Sequence, residues 1–167
     1  FPGDNPSWTD QLYQRRAQIV LRSLLFSPNQ DTDARLNEFI GCYLDPALSA
    51  AARRVACIAI QMVALDALHG STRNQTESIV NAAIGIAQNK TEPAPMVADS
   101  IQLIARMMLG GASQVALSPE IEAIAKDNIN NPHPDVVRSA HDLLVNFRRR
   151  QSIAQGLAGK LTLDIAK

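Results

Sequence analysis

Three segments of the chain begin with proline and continue in phase for fourteen residues: "PALSAAARRVACIA" from Pro46, "PMVADSIQLIARMM" from Pro95 and "PDVVRSAHDLLVNF" from Pro134. Laid over one another without gaps, they match Val136 with Val97 and Leu48, and Ala140 with Ile101 and Ala52. Leu143 and Leu144 fall on Ile104 and Ala105, then on Val55 and Ala56; Phe147 falls on Met108 and Ala59. The apolar spacing is that of a helix with one buried face, and proline suits the first helical position because its missing N–H is unpaired there anyway. Each segment follows another amphipathic stretch, "ARLNEFIGCYL", "ESIVNAAIGIA" or "EIEAIAKDNI". The implied unit is helix, short turn, helix, repeating at separations of 49 and 39 residues. One such hairpin buries only part of its apolar surface, so units must stack.

The punctuation between these units is equally plain. "FPGDNP" is an irregular lead-in, after which Ser7 caps a helix over Trp8–Phe26. A second helix runs from Asp31 or Thr32 to Leu44. The third runs from Pro46, with Asp45 as its cap, to about Leu68 near Gly70. "STRNQTE" restarts a helix through about Gln88, and a fifth spans Pro95–Leu109. Ser118 and Pro119 open the sixth, which ends near Asn130, and Pro134 opens the seventh, to about Arg149. The tail contains Gly156 and Gly159 and reads as a weaker helix or a frayed end. Hydrophobic residues make up 46% of the chain but aromatics only 4%, with alanine and leucine dominant, a balance that favours helix over strand. The expected fold is all-α: a single domain over 1–167, built as a short α-solenoid of about three antiparallel helix pairs with an N-terminal helix. A compact helical bundle is the alternative. Because the chain begins at Phe1, it reads as part of a larger protein.

The run Pro134-Asp135-Val136-Val137-Arg138-Ser139-Ala140, within "HPDVVRSAHDLL", resembles the start of the second helix of a HEAT-type repeat. The likeness extends over roughly residues 31–149. It departs from the family pattern in the middle unit, which has Asp99 where a basic residue such as Arg138 is usual. Such a resemblance implies a scaffold or adaptor that binds another protein or peptide without catalysing a reaction. It also implies an alternative, since some HEAT-like proteins bind nucleic acid or are DNA glycosylases. Sixteen basic residues balance sixteen acidic ones, however, and the one tryptophan, Trp8, lies outside the units, which disfavours nucleic acid. Self-assembly through exposed solenoid ends is a third reading.

Carrying the proline phasing around the helices leaves one face of each second helix free. That face takes Arg138, His141, Asp142 and Val145 in the last unit. In the middle unit it takes Asp99, Gln102, Leu103 and Arg106, and in the first Ala50, Arg53, Arg54 and Cys57. The expected partner-binding residues are therefore Arg53, Arg54, Asp99, Gln102, Arg106, Arg138, His141 and Asp142, in parallel columns that offer charge-assisted contacts. The third helix stands apart, apolar on nearly every side through Val55, Ile58, Ile60, Met62, Val63 and Leu65, and must have neighbours on several faces.

No catalytic, cofactor-binding or metal-binding motif emerges. His133 and His141 have no cysteine or further histidine at zinc-ligand spacing, and His69 suits a helix C-terminus. "GLAGKLT" lacks the spacing of a phosphate loop, and the arginines of "FRRRQ" sit where a helix C-terminus favours cations. Cys42 and Cys57 are too few for a disulfide framework and read as buried, reduced thiols, which places the chain in the cytoplasm. The sequons at Asn74 and Asn89 read as chance occurrences. No apolar run is long enough to span a membrane.

Overall fold

A computed structural model describes residues 32–65, 70–109 and 117–165 of the chain. The helix expected over Trp8–Phe26 lies outside these residues, as does His69. Six helices are described: α1 (Thr32–Leu44), α2 (Ala50–Leu65), α3 (Gly70–Gln88), α4 (Ala94–Leu109), α5 (Pro119–Asn128) and α6 (Pro134–Ile165). They form an all-α fold of three hairpins. α1 packs on α2, α3 on α4 and α5 on α6; the second helices α2, α4 and α6 lie side by side, and so do the first helices α1, α3 and α5. Among the described residues α2 and α6, two units apart, have at most marginal contact. Packing confined to adjacent units is the property that makes an array a solenoid.

The three turns inside the hairpins are equal in length, spanning residues 45–49, 89–93 and 129–133. Each is folded by a side-chain oxygen that accepts from a backbone N–H two residues on. Asp45 Oδ1 accepts from Ala47 at 2.9 Å, Asn89 Oδ1 from Thr91 at 3.0 Å, and Asn131 Oδ1 from His133 at 2.9 Å. The first turn corrects the expected start of its helix. Asp45 does not cap the helix, and Pro46 lies in the turn; α2 begins at Ala50, where Ser49 Oγ accepts from Ala52 N at 3.2 Å. α5 starts as the sequence indicates, with Ser118 Oγ accepting from Ile121 N at 3.3 Å ahead of Pro119.

This correction resets the register of the array. The equivalent helix starts are Ala50, Ala94 and Pro134, so units repeat at 44 and 40 residues, not at 49 and 39. An error of five residues turns a helix by about 140°, and an error of one by about 100°. Residues matched by their prolines therefore lie on different faces.

α4 is the centre of the core. Met96, Ala98, Ser100, Ile101, Leu103, Ile104, Ala105, Met107 and Met108 are all buried along its length. α2, expected to be covered on several sides, is continuously buried from Ala56 to Gln61. On α6, Val136, Ala140, Leu143 and Phe147 are buried and Val137 and Leu144 half-buried, as their spacing indicates. α6 does not end near Arg149. It runs to Ile165, 32 residues in all, about 48 Å against about 15 Å for its ten-residue partner α5. No proline or cap stops it, and two glycines cost only about 1 kcal/mol each in a helix.

Gly85 is exposed in the interior of α3, and a Cβ added there would meet nothing within 4 Å. Gly85→Ala is expected to stabilise the fold by about 0.5–1 kcal/mol, because alanine loses less backbone freedom in a helix. Urea denaturation followed by circular dichroism measures this as a raised midpoint at unchanged slope.

Candidate functional site

The junction between the first and second hairpins is closed by buried polar groups. Arg53 is 7% exposed. Its Nε donates to the Tyr43 carbonyl at 3.0 Å, and its two terminal nitrogens each donate to a carboxylate oxygen of Glu92 at 2.8 Å. One side chain thus ties the end of α1 to the α3–α4 turn, with each of its three nitrogens donating and the pair to Glu92 bidentate. The Glu92 carboxylate holds the guanidinium even further above its usual pKa, so Arg53 remains charged.

Next to this pair, Tyr43 Oη and Ser100 Oγ share a 2.5 Å hydrogen bond, and Ser100 also donates to the Met96 carbonyl at 2.7 Å. Arg54 Nε meets Asp99 Oδ2 at 2.7 Å, and Gln61 Nε2 donates to the Asp99 carbonyl at 3.2 Å. Cys57 Sγ lies 3.7 Å from the same carbonyl. Burial pushes both the Tyr43 phenol and the Cys57 thiol well above their ordinary pKa values, so neither ionises near neutral pH. These groups position helices; they are not disposed to act as a nucleophile or a base.

The expected columns are therefore redistributed. Arg53 is buried between α1, α2 and the α3–α4 turn, and Arg54 and Asp99 pair across the α2–α4 seam. Arg53 and Arg54 are consequently not members of an exposed row, because the corrected register turns them toward neighbouring helices. Gln102 and Arg106 are half-buried on α4, while Arg138, His141 and Asp142 are exposed on α6. Arg138 has only an exposed contact with Asp135, at 3.6 Å. His133 precedes α6, and its carbonyl accepts from Val136 and Val137. Cys42, expected to be buried, is exposed. Among the described residues no three histidine, cysteine or carboxylate side chains gather as a metal site would need. No described helix is long and apolar enough to cross a membrane.

The corrected register exposes a different surface. The positions of α2 that hold the next hairpin are Arg54, Cys57 and Gln61. Their equivalents are Ala98, Ile101 and Ala105 on α4, then Arg138, His141 and Val145 on α6. On α2 and α4 these positions are buried or half-buried, and the carbonyl of Ala105 accepts from Asn146 of α6 at 3.0 Å. On α6 all three are exposed, Val145 at 63%. The surface that joins unit to unit is therefore exposed on the last described unit. The sequence contained its residues, but finding its role required the true helix starts. Comparison with family models, curated proteins and solved structures finds no significant match to this chain.

Two outcomes test this account of the first junction. Arg53→Ala leaves Glu92 with a carboxylate that is largely enclosed and unpaired, and is expected to cost about 3–5 kcal/mol in chemical denaturation. Thiol alkylation of the native protein at pH 8 is expected to label Cys42 rapidly and Cys57 only after denaturant is added, as read by intact mass.

Proposed function

We propose that the chain is a non-enzymatic interaction module, a HEAT-like α-solenoid that holds another protein against the open face of α6. One observation carries this reading. The positions that join α2 to α4, and α4 to α6, are exposed on α6 as Arg138, His141 and Val145. Asp142 and Arg149, also exposed, extend this face. Such a face suits a helical neighbour, because α6 lies alongside α4 as α4 lies alongside α2. Its polarity lets it stand in water alone, so association there is reversible and sensitive to charge. The two free cysteines support a reducing compartment, and we place the module in the cytoplasm.

Arg138→Glu combined with Val145→Glu tests the reading. Both side chains are exposed, so the variant should unfold at the same denaturant concentration as the parent. Quantitative co-purification from cell extract should then show a partner set recovered by the parent and reduced at least tenfold with the variant. Equal recovery by both proteins would sink the assignment. A concentration-dependent mass in light scattering that disappears in the variant would identify the partner as a second copy of the chain.

A further inference from the structure

The second junction carries a cleft where the first is filled. With units repeating at 44 residues, Tyr43 of the first hairpin corresponds to Ala87 of the second, and Arg53 corresponds to Val97. Tyr43 and Arg53 occupy the first junction with a buried phenol and a buried guanidinium. Ala87 and Val97 are much smaller, and both line a cleft of about 470 Å³ between the α3–α4 turn and the turn end of the third hairpin. That volume lies within the range of sites that take small ligands or a few residues of peptide.

The cleft's lining is chemically directional. Ala87, Val97, Ile124 and Val136 supply an apolar surface. Glu92 also lines it, with its carboxylate taken up by Arg53; the charges left open are Lys90 from the second hairpin and Asp127 from the third. Both charged residues are exposed, and neither forms an ion pair among the described residues. A cation on one unit and an anion on the next, with apolar surface between, call for a ligand with the opposite arrangement.

The geometry points to this cleft as a site for an extended peptide segment with an aromatic residue flanked by an acidic and a basic residue. In an extended chain alternate side chains share a face, so the three groups belong at positions i−2, i and i+2. The aromatic ring takes the room that Tyr43 occupies at the first junction. The acidic residue meets Lys90 and the basic residue meets Asp127. The peptide belongs to a partner protein, so this site rests on the interaction-module reading, but it uses a surface separate from the open face of α6.

Two probes test it: acetyl-Glu-Ser-Phe-Ser-Lys-amide and the reversed acetyl-Lys-Ser-Phe-Ser-Glu-amide, titrated into the full 167-residue chain labelled with ¹⁵N. One probe is expected to shift backbone amides within 87–97 and 123–136 and to bind at least fivefold tighter than the other. Replacing its phenylalanine by serine should weaken binding at least tenfold. The paired variant Lys90→Glu/Asp127→Lys changes only exposed side chains and should transfer the preference to the other probe. Failure of both probes to shift these amides at millimolar concentration would overturn the proposal, as would an unchanged preference in the paired variant. The Arg138→Glu/Val145→Glu variant should bind the preferred probe as the parent does. Equal partner recovery by parent and variant with intact probe binding would sink the α6 face and leave the cleft standing. Reduced recovery by the variant with no probe binding by the parent would leave the α6 face standing and overturn the cleft.

Discussion

Arg53 is the residue on which the arrangement of the first two hairpins depends. Its guanidinium is nearly inaccessible to water, so its charge must be met by the protein, and its planar fork admits few geometries that do so. Glu92 meets it from the second hairpin and the Tyr43 carbonyl from the first. A hairpin that slid along its neighbour would separate these groups and leave two charges poorly solvated. Apolar surface alone resists sliding weakly, because isoleucine on alanine packs in many offsets. A buried ion pair adds little net stability over a well-packed apolar pair, but breaking it is costly. Its contribution here is to the register of the stack.

The second junction is held by different means. Gln88 donates to Glu120 at 3.0 Å on an exposed edge, and Asn146 reaches the Ala105 carbonyl. Neither bond joins two full charges. What holds α6 on α4 is the length of close apolar contact, made possible by Ala98 and Ala105 on the side of α4 that α6 covers. Small side chains let the two helices approach, and Leu143 and Phe147 bury their apolar surface on the same helix. One junction is thus specified by charge and the other by shape.

Most of the helices could be read from the sequence because the apolar period and the prolines act locally. Ser118 with Pro119, and Pro134 after Asn131, mark the starts at which α5 and α6 form. Pro46 misled because proline serves a turn as well as a first helical turn, and Asp45 can fold either. Two residues after Asp45, the N–H of Ala47 is already taken, and Ser49 becomes the cap. The five-residue error then passed through helix geometry into the expected surface. The proline phasing puts Arg53 and Arg54 outward, whereas both face other helices. Arg138, His141 and Asp142 remained exposed because α6 is the last described second helix. The signal available was the pair of turn residues itself: Asp45 and Asn89 lie five residues before the helix starts they precede, whereas Pro46 and Pro95 do not occupy equivalent places.

Equal turns make a substitution between units interpretable as a change of one part in a fixed frame. Tyr43, Ala87 and Asp127 occupy the same place at the ends of α1, α3 and α5. The first reaches across to Ser100, the second leaves a space, and the third puts a carboxylate at that space's edge. Tyrosine at Ala87 would be the obvious way to seal the second junction as the first is sealed, yet Ser100 has Ala140 as its counterpart, which offers no hydroxyl to receive a phenol. Burying that phenol unpaired would be unfavourable by roughly 1–3 kcal/mol. The alanine at 87 and the alanine at 140 therefore belong together: with no acceptor beyond it, the second junction is better left open to an aromatic ring without a hydroxyl, held by charges on either side of it.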